Sequence, residues 1–412
     1  MAFFLTNTNY KPSYFFKIIS FWDKGFWELL TFAMQMMLML VLGNILALSP
    51  FVDKIINFLI KDIKSTSKAV VIVSVFTMII AYFNWGLALI FGAIITRKIG
   101  ETSIIKNYKI NYAVIGAAGY SGLMVWHGGL SGSAPLKVAE ANHFLVDKIG
   151  IISIDKTIFS TMNIFSAVAV ISFVSLGLYF LSKKVSISKV DIKLSDKSND
   201  EFVDNKKFRI DNSVLFLRIF ALFILFDVFY KIFTIRDISL VNINFINLIL
   251  FTLGLWFHKN VSGFLQATSK SISSASGILI QFPLYAGIMG IMKYSGLTDV
   301  MSNFFIDISN QTTFPVFTFI SSGIINMFVP SGGGQWAVQG PIIVEAAKNL
   351  HIPVQKAIMA LAYGDEITNM IQPFWALPLL GITGLKAKQI FPYTLFMMLI
   401  GGVVYIASLL IF

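Results

Sequence analysis

The sequence predicts an all-α polytopic membrane protein, built as an inverted repeat with two interrupted, re-entrant-type helical segments. Three observations predict it. The chain is too apolar for a water-facing surface, its apolar runs have the length of membrane spans, and two glycine-rich breaks recur in corresponding places of its two halves. Of 412 residues, 56% are hydrophobic and 13% charged, with mean hydropathy +0.76. A soluble globule carries about 25% charged residues. Such a chain cannot cover itself with polar side chains, so its outer surface faces lipid.

A span needs about 20 mostly apolar residues. By that measure the first runs from Trp27 to Leu48, ended by Pro50, and a polar link with Lys54, Lys61 and Lys64 follows. Ala69 to Ile95 comes next, interrupted at Asn84, Trp85 and Gly86. NYAVIGAAGYSGLMVWHGGLSGSAP starts as a helix and breaks at His127; another span covers Phe159 to Leu181. Further spans fall at Val214 to Phe233, Leu240 to Phe257 and Ser271 to Met292. PVFTFISSGIINMFVPSGGGQWAVQGP then starts as a helix and breaks at Pro330. A less regular region holds Pro373 and Pro378, and a last span runs from Pro392 to Phe412. The runs allow about nine to eleven crossings.

The formal net charge of +11 does not point to nucleic acid, because the basic residues sit mainly in short segments between apolar runs, where they orient helices. With no Cys, disulfides, thiolate catalysis and Cys-ligated metals are excluded. The N-terminal residues lack a short apolar core followed by a small-residue cleavage site, so no removable signal is expected. The stretch 183–212, rich in Lys, is read as a flexible cytoplasmic linker. It separates an N-terminal repeat, 1–182, from a C-terminal repeat, 213–412, in which 213–235 can serve as a linking helix.

With the N-terminus inside, four crossings return the chain to the inside at this linker. The next span carries it out, so the second half enters in the opposite orientation. The link at Lys54 to Lys64, placed outside, runs against the positive-inside rule. Paired interrupted helices in oppositely oriented halves are the pattern of secondary transporters. Irregular backbone leaves N–H and C=O groups unpaired, at several kcal/mol each in hydrocarbon, unless they face protein, water or a ligand. A helix starting after Gly334 aims free N–H groups at such a site, and a carboxylate is its natural guest.

The candidate binding residues are therefore Ser331, Gly332, Gly333, Gly334, Gln335 and Gln339 in the second break, and His127, Gly128, Gly129, Ser131, Gly132 and Ser133 in the first. Gln335 and Gln339 share a helix face and can orient a polar ligand. His127 can be structural or a proton carrier. Without a His-Glu-x-x-His pattern no zinc site is expected. In GDEITNMIQPFW, Asp365, Asn369 and Gln372 share a face, and Asp365 with Asn369 is the expected ion-coupling position; Glu366 points elsewhere. Asn84 and Asn326 read equally as hinge residues or as amides facing the pathway.

At NWGLALIFGAI, WHGGLSGSAPL, VPSGGGQWAVQGPI and GDEITNMIQPFWALPLLGITGLKA the sequence resembles the short-chain fatty acid transporter family. The Glu366–Ile367 pair departs from the small-plus-aromatic pair of that family's pattern. The resemblance implies a substrate such as acetoacetate or butyrate, coupling to H+ or Na+, no cofactor, and a multi-pass place in the bacterial cytoplasmic (inner) membrane. A small carboxylate and lipid are the expected partners, nucleic acid is not, and a homodimer is compatible. The rivals are a carrier of a dicarboxylate or amino acid and a membrane-embedded acyltransferase using His127, which would need a second positioned acid or nucleophile.

Overall fold

The computed structural model describes residues 2–6, 13–187, 212–327 and 329–412. Thirteen helices position the site: α1 (Leu30–Ala47), α2 (Thr66–Phe83), α3 (Trp85–Ile105), α4 (Tyr112–Tyr120), α5 (Thr161–Ser182), α6 (Val214–Ile235), α7 (Ile243–Phe257), α8 (Ser276–Ser295), α9 (Phe314–Asn326), α10 (Gly332–Asn349), α11 (Val354–Thr368), α12 (Pro373–Thr383) and α13 (Ala387–Ile411). There is no strand among the described residues. Side chains start many of these helices. Ser65, Asn84, Asn111, Ser160, Ser213, Asn242 and Ser331 each accept a backbone N–H of the first turn, satisfying donors that have no intrahelical partner.

Among the described residues α1, α2, α5, α8 and α13 are long and apolar enough to cross a membrane, and α7 and α9 are shorter apolar helices. That is fewer than the apolar runs suggest, for two reasons. Helices α3 and α6 are as long but carry Arg97, Lys98 and Glu101, and Arg218, Asp227 and Lys231. The remaining runs are divided into shorter pieces by breaks.

The long helices are inside-out relative to a soluble protein. On α5, Ser166, Val170, Val174 and Leu178 are buried at helical spacing, while Phe165, Val168, Phe173, Leu176 and Phe180 are exposed. Polarity gathers inward, where Ser74 of α2 and Ser175 of α5 share a hydrogen bond of 2.8 Å. Helix α5 packs between α2 and α13, α1 packs on α3 and α7, and α10 packs against α8 and α11.

Several boundaries differ from those the sequence suggests. The link carrying Lys54 is a helix, Pro50–Ile60, capped by Ser49 and started by Pro50, because Pro fits a first helical position. Ser271 to Met292 is divided between helix Val261–Ile272 and α8. The first break starts before His127, since α4 ends at Tyr120 and passes into a tight turn at Ser121–Met124. The region around Asp365, expected to be less regular, is helical through Thr368. Most of the expected linker, 188–211, lies outside the described residues.

Helices α3 and α4 cross with their backbones in contact. A Cβ at Gly92 would lie 1.9 Å from the Gly119 carbonyl oxygen, which only glycine allows; such small-residue crossings hold membrane helices together. Gly92→Val should therefore abolish a monodisperse, cooperatively unfolding protein in detergent. Gly402→Ala, where a Cβ meets nothing within 4 Å, should be neutral or stabilise α13 by up to ~1 kcal/mol. A Gly92→Val protein with wild-type melting temperature would refute the close crossing.

Candidate functional site

The two glycine-rich breaks, some 200 residues apart in sequence, meet inside the protein. A Cβ on Gly332 would lie 2.7 Å from His127 Cε1, 2.7 Å from Trp126 Cη2 and 2.9 Å from Ser133 Oγ. The second break is thus laid directly on the first, and Gly332 is the residue that lets it approach. Trp126 stacks on the His127 ring at 4.6 Å between centroids, and Trp85 leans on Trp126 at 5.7 Å.

His127 is fully buried and its ring is held at both nitrogens. Nδ1 lies 2.6 Å from Asp365 Oδ2. Nε2 lies 3.0 Å from Ser133 Oγ and accepts the Ala134 backbone N–H at 3.2 Å. A backbone N–H can only donate, so Nε2 accepts and the ring proton sits on Nδ1, pointing at the carboxylate. The His127 backbone N–H donates to Glu366 Oε2 at 2.8 Å. Both acids of α11 therefore face the first break, which corrects the expectation that Glu366 points elsewhere. Adjacent helix residues diverge by about 100°, but the break is broad enough to offer its side chain to one and its backbone to the other.

Neighbouring amides fix this arrangement. Asn326, at the end of α9, donates through Nδ2 to the Asp365 carbonyl (2.6 Å), Thr368 Oγ1 (2.9 Å) and Asn369 Oδ1 (3.0 Å). Gln372 donates to the Asn326 carbonyl at 2.7 Å. Asn369 is thus a link in this chain of bonds. On the other side Asn163 donates to the Gly128 carbonyl at 2.8 Å and accepts from Tyr363 at 3.0 Å. Asn163 and Tyr363 were not legible as site residues: each sits in an ordinary helical stretch, and no local pattern marks it.

The other candidates divide by what their polar groups already do. Ser131 Oγ accepts the Trp85 N–H at 3.0 Å, and a Cβ on Gly129 would meet the Tyr82 carbonyl oxygen at 2.2 Å, so both pack the first break against α2 and α3. Gly132 N–H donates to the Gly129 carbonyl. In the second break Ser331 takes the N–H of Gly334 on its side chain (3.2 Å) and that of Gln335 on its carbonyl (2.7 Å). Gln335 Nε2 donates to the Ser322 carbonyl and Gln339 Oε1, both at 2.9 Å, and Gln339 Nε2 donates to Ser321 Oγ at 3.1 Å. The two glutamines tie α10 to α9. Their donors are committed to protein, whereas Gln335 Oε1, Asn326 Oδ1 and Asp365 Oδ1 are buried without a hydrogen bond. Asn84 caps α3 through Leu87 N–H at 2.7 Å and donates to the Met39 carbonyl, so its amide is committed to holding the break between α2 and α3.

Among known proteins, the family described as short chain fatty acid transporter matches residues 1–412. A protein of Escherichia coli (strain K12) carrying that family's name is 37% identical over 402 residues, 96% of this chain and 90% of its own. One of Haemophilus influenzae with the same name is 35% identical over 408 residues, 95% and 89%. Two solved structures share the fold. The YdaH transporter of Alcanivorax borkumensis, described as having an unusual topology, superposes with TM-score 0.61 at 14% identity, covering 97% of this chain and 89% of its own. MtrF of Neisseria gonorrhoeae, described within a class of antimetabolite efflux pumps, gives 0.60 at 13%, covering 97% and 85%.

The His127–Asp365 pair has a stability consequence. Removing the His127 N–H leaves the buried Asp365 carboxylate without that donor, which costs about 1–3 kcal/mol, and more for a charged group. His127→Ala should lower the melting temperature sharply, and His127→Ala/Asp365→Leu should recover much of the loss. Equal instability of the two variants in detergent melts would mean that Asp365 is not a buried charge held by His127.

Proposed function

The chain belongs to the short-chain fatty acid transporter family, and we propose that it carries a small monocarboxylate of acetoacetate or butyrate size across the bacterial cytoplasmic membrane, together with a proton held at His127 and Asp365. It is a multi-pass membrane transporter, not an enzyme. The observation that carries the coupling reading is the 2.6 Å contact of His127 with Asp365, fully buried and joining the first break to α11.

Neither 127–135 nor 330–341 contains Lys or Arg, so no fixed cation offsets a carboxylate arriving between the breaks. The N–H groups of Gly332 and Gly333, at the start of α10, have no intrahelical acceptor and sit at the positive end of the helix dipole. With Asp365 ionised and His127 neutral, a substrate carboxylate adds a second negative charge to a dry site. A proton taken up by the pair on the Asp365 carboxylate, whose Oδ1 has no hydrogen bond, cancels one. Substrate and proton then raise each other's affinity, and by linkage the effect is reciprocal.

Ser133, His127 and Asp365 also have the hydroxyl–imidazole–carboxylate order of acyl-transfer triads. Here Nε2 is shared between Ser133 and a backbone N–H, and Ser133 is fully buried against Gly332. With Nε2 already accepting a backbone N–H, the imidazole is poorly placed to take a proton from Ser133 and activate it as a nucleophile. A second coupling reading, Na+, is favoured by buried oxygens without hydrogen bonds in this region, Asp365 Oδ1, Asn326 Oδ1, Gln335 Oε1, Glu366 Oε1 and Gln372 Oε1 among them.

Labelled butyrate uptake into proteoliposomes tests the reading, with imposed pH or sodium gradients and protein-free vesicles to subtract passive entry of the neutral acid. Uptake above that control should rise as the outside is acidified and be indifferent to sodium. Asp365→Asn should abolish gradient-driven uptake while leaving butyrate exchange partly intact. Sodium-driven uptake at uniform pH would replace the proton by Na+, and a preference for dicarboxylates or amino acids in competition would refute the substrate class.

A further inference from the structure

Outside the crossing of the two breaks lies a polar cavity of about 820 Å³, reached at the start of α1 and bordered by Lys137, Glu140, Gln35, Phe32 and Lys293. Its inner wall is aromatic. Phe32 and Phe282 meet edge to face at 5.6 Å, and a Cβ on Gly333 would lie 3.0 Å from the first ring and 2.7 Å from the second. Phe32, which borders the cavity, and Phe282, packed beside it, therefore stand against the second break. Resting on the transport reading above, we propose that this cavity docks the substrate's carboxylate on Lys137 and Gln35 before it passes those rings, and that Glu140 occupies the same two donors when no substrate is present.

The contacts of Glu140 are the template for that docking. Its carboxylate takes Lys137 Nζ on Oε2 at 2.6 Å and Gln35 Nε2 on Oε1 at 2.9 Å. A cation and an amide N–H thus already grip a carboxylate by both oxygens, and a free monocarboxylate offers the same two acceptors. Lys137 also lies 5.1 Å from the centre of the Phe32 ring, which holds it over the inner wall. Both donors are set in place. The Lys137 side chain is 8% exposed, and Gln35 also donates to Asn244 Oδ1 at 3.0 Å, which fixes its amide orientation. Gln35 Oε1 is buried without a partner.

Glu140, by contrast, sits in a turn after the short helix Ser133–Lys137, so its side chain can leave without unwinding a helix. The other charges of the cavity are accounted for. Lys293 pairs with Glu28 at 3.1 Å, and Tyr294 also bonds Glu28. Beside the cavity, burial pushes the His143 imidazole below its ordinary value, and Lys137 adds to the shift. His143 therefore stays neutral at physiological pH, and Lys137 is the cation at the inner wall that an anion meets.

The signature is a pair of opposite shifts in apparent KM for butyrate. Glu140→Gln removes the internal competitor and should lower KM severalfold. Lys137→Met, and the double variant Lys137→Gln/Glu140→Gln, which keeps the side-chain hydrogen bond without its charges, should raise KM by about tenfold or more. Lys137→Arg should stay near wild type. Butyrate should also raise the melting temperature of the wild type and Glu140→Gln in detergent, but not that of the double variant. A merely structural Lys137–Glu140 pair would instead make Glu140→Gln and Lys137→Met worse in the same direction. Butyrate stabilisation of the wild type without gradient-driven uptake would count against coupling alone. Wild-type KM in a well-folded double variant, or a raised KM in Glu140→Gln, would overturn the dock alone, and absence of butyrate stabilisation in the wild type would overturn it together with the substrate class.

Discussion

A peptide group left unpaired in hydrocarbon costs several kcal/mol, and the interior of this protein is arranged around that constraint. Much of the irregular backbone is answered by a side chain or carbonyl from a neighbouring element. Leu130 N–H goes to the Tyr82 carbonyl at 2.7 Å, and Asn163 takes the Gly128 and Ile158 carbonyls. Tyr405 donates to the Met124 carbonyl at 2.6 Å, Tyr120 to that of Asn369 at 2.8 Å, and Gln372 to that of Asn326. Glycines allow the approach, and tyrosines and amides complete the pairing.

This sorts the buried polar residues by task. An ionisable or amide group inside a membrane protein is a functional candidate by default, but many here are committed to backbone. Asn84, Asn163, Tyr120 and Tyr405 keep irregular chain in place, and Gln339 ties α10 to α9 through the side chains of Ser321 and Ser322. His127, Ser133, Asp365 and Glu366 are different, because they mainly face one another across the junction of the two breaks. A transporter has to combine a rigid support with a site whose charge can change, and the two sets of residues separate those demands.

The breaks themselves were legible because Gly, Ser and Pro interrupt apolar helices in any context. So was the all-helical fold, which needs little beyond span length and composition. Helix identity around Asp365 was less so, since polar residues within a buried helix look like a loop when read locally. The pairing of His127 with Asp365, 238 residues apart, was not legible at all: nothing in one sequence states which distant residues meet. The Gln335–Gln339 pair was visible from its four-residue spacing, but spacing does not say whether an amide faces a ligand or the next helix. Here the answer was α9, through Ser321 and Ser322. Glu366 was misplaced for a related reason, because a helical wheel assumes a narrow partner and the first break is wide.

The same constraint bears on how substrate and proton could communicate. Ser133 and Lys137 stand four residues apart on one short helix, a rise of about 6 Å. One residue touches His127 and the other borders the polar cavity. Lys137 is therefore one helical turn along the chain from the residue that touches the imidazole. Between them stand backbone N–H groups and aromatic rings, which screen far less than water. Charge at the cavity and charge at the crossing cannot be independent over that distance. The coupling proposed above then needs no long relay of moving side chains, since a single short helix, bonded to His127 through Ser133 and to Glu140 through Lys137, links the crossing to the cavity.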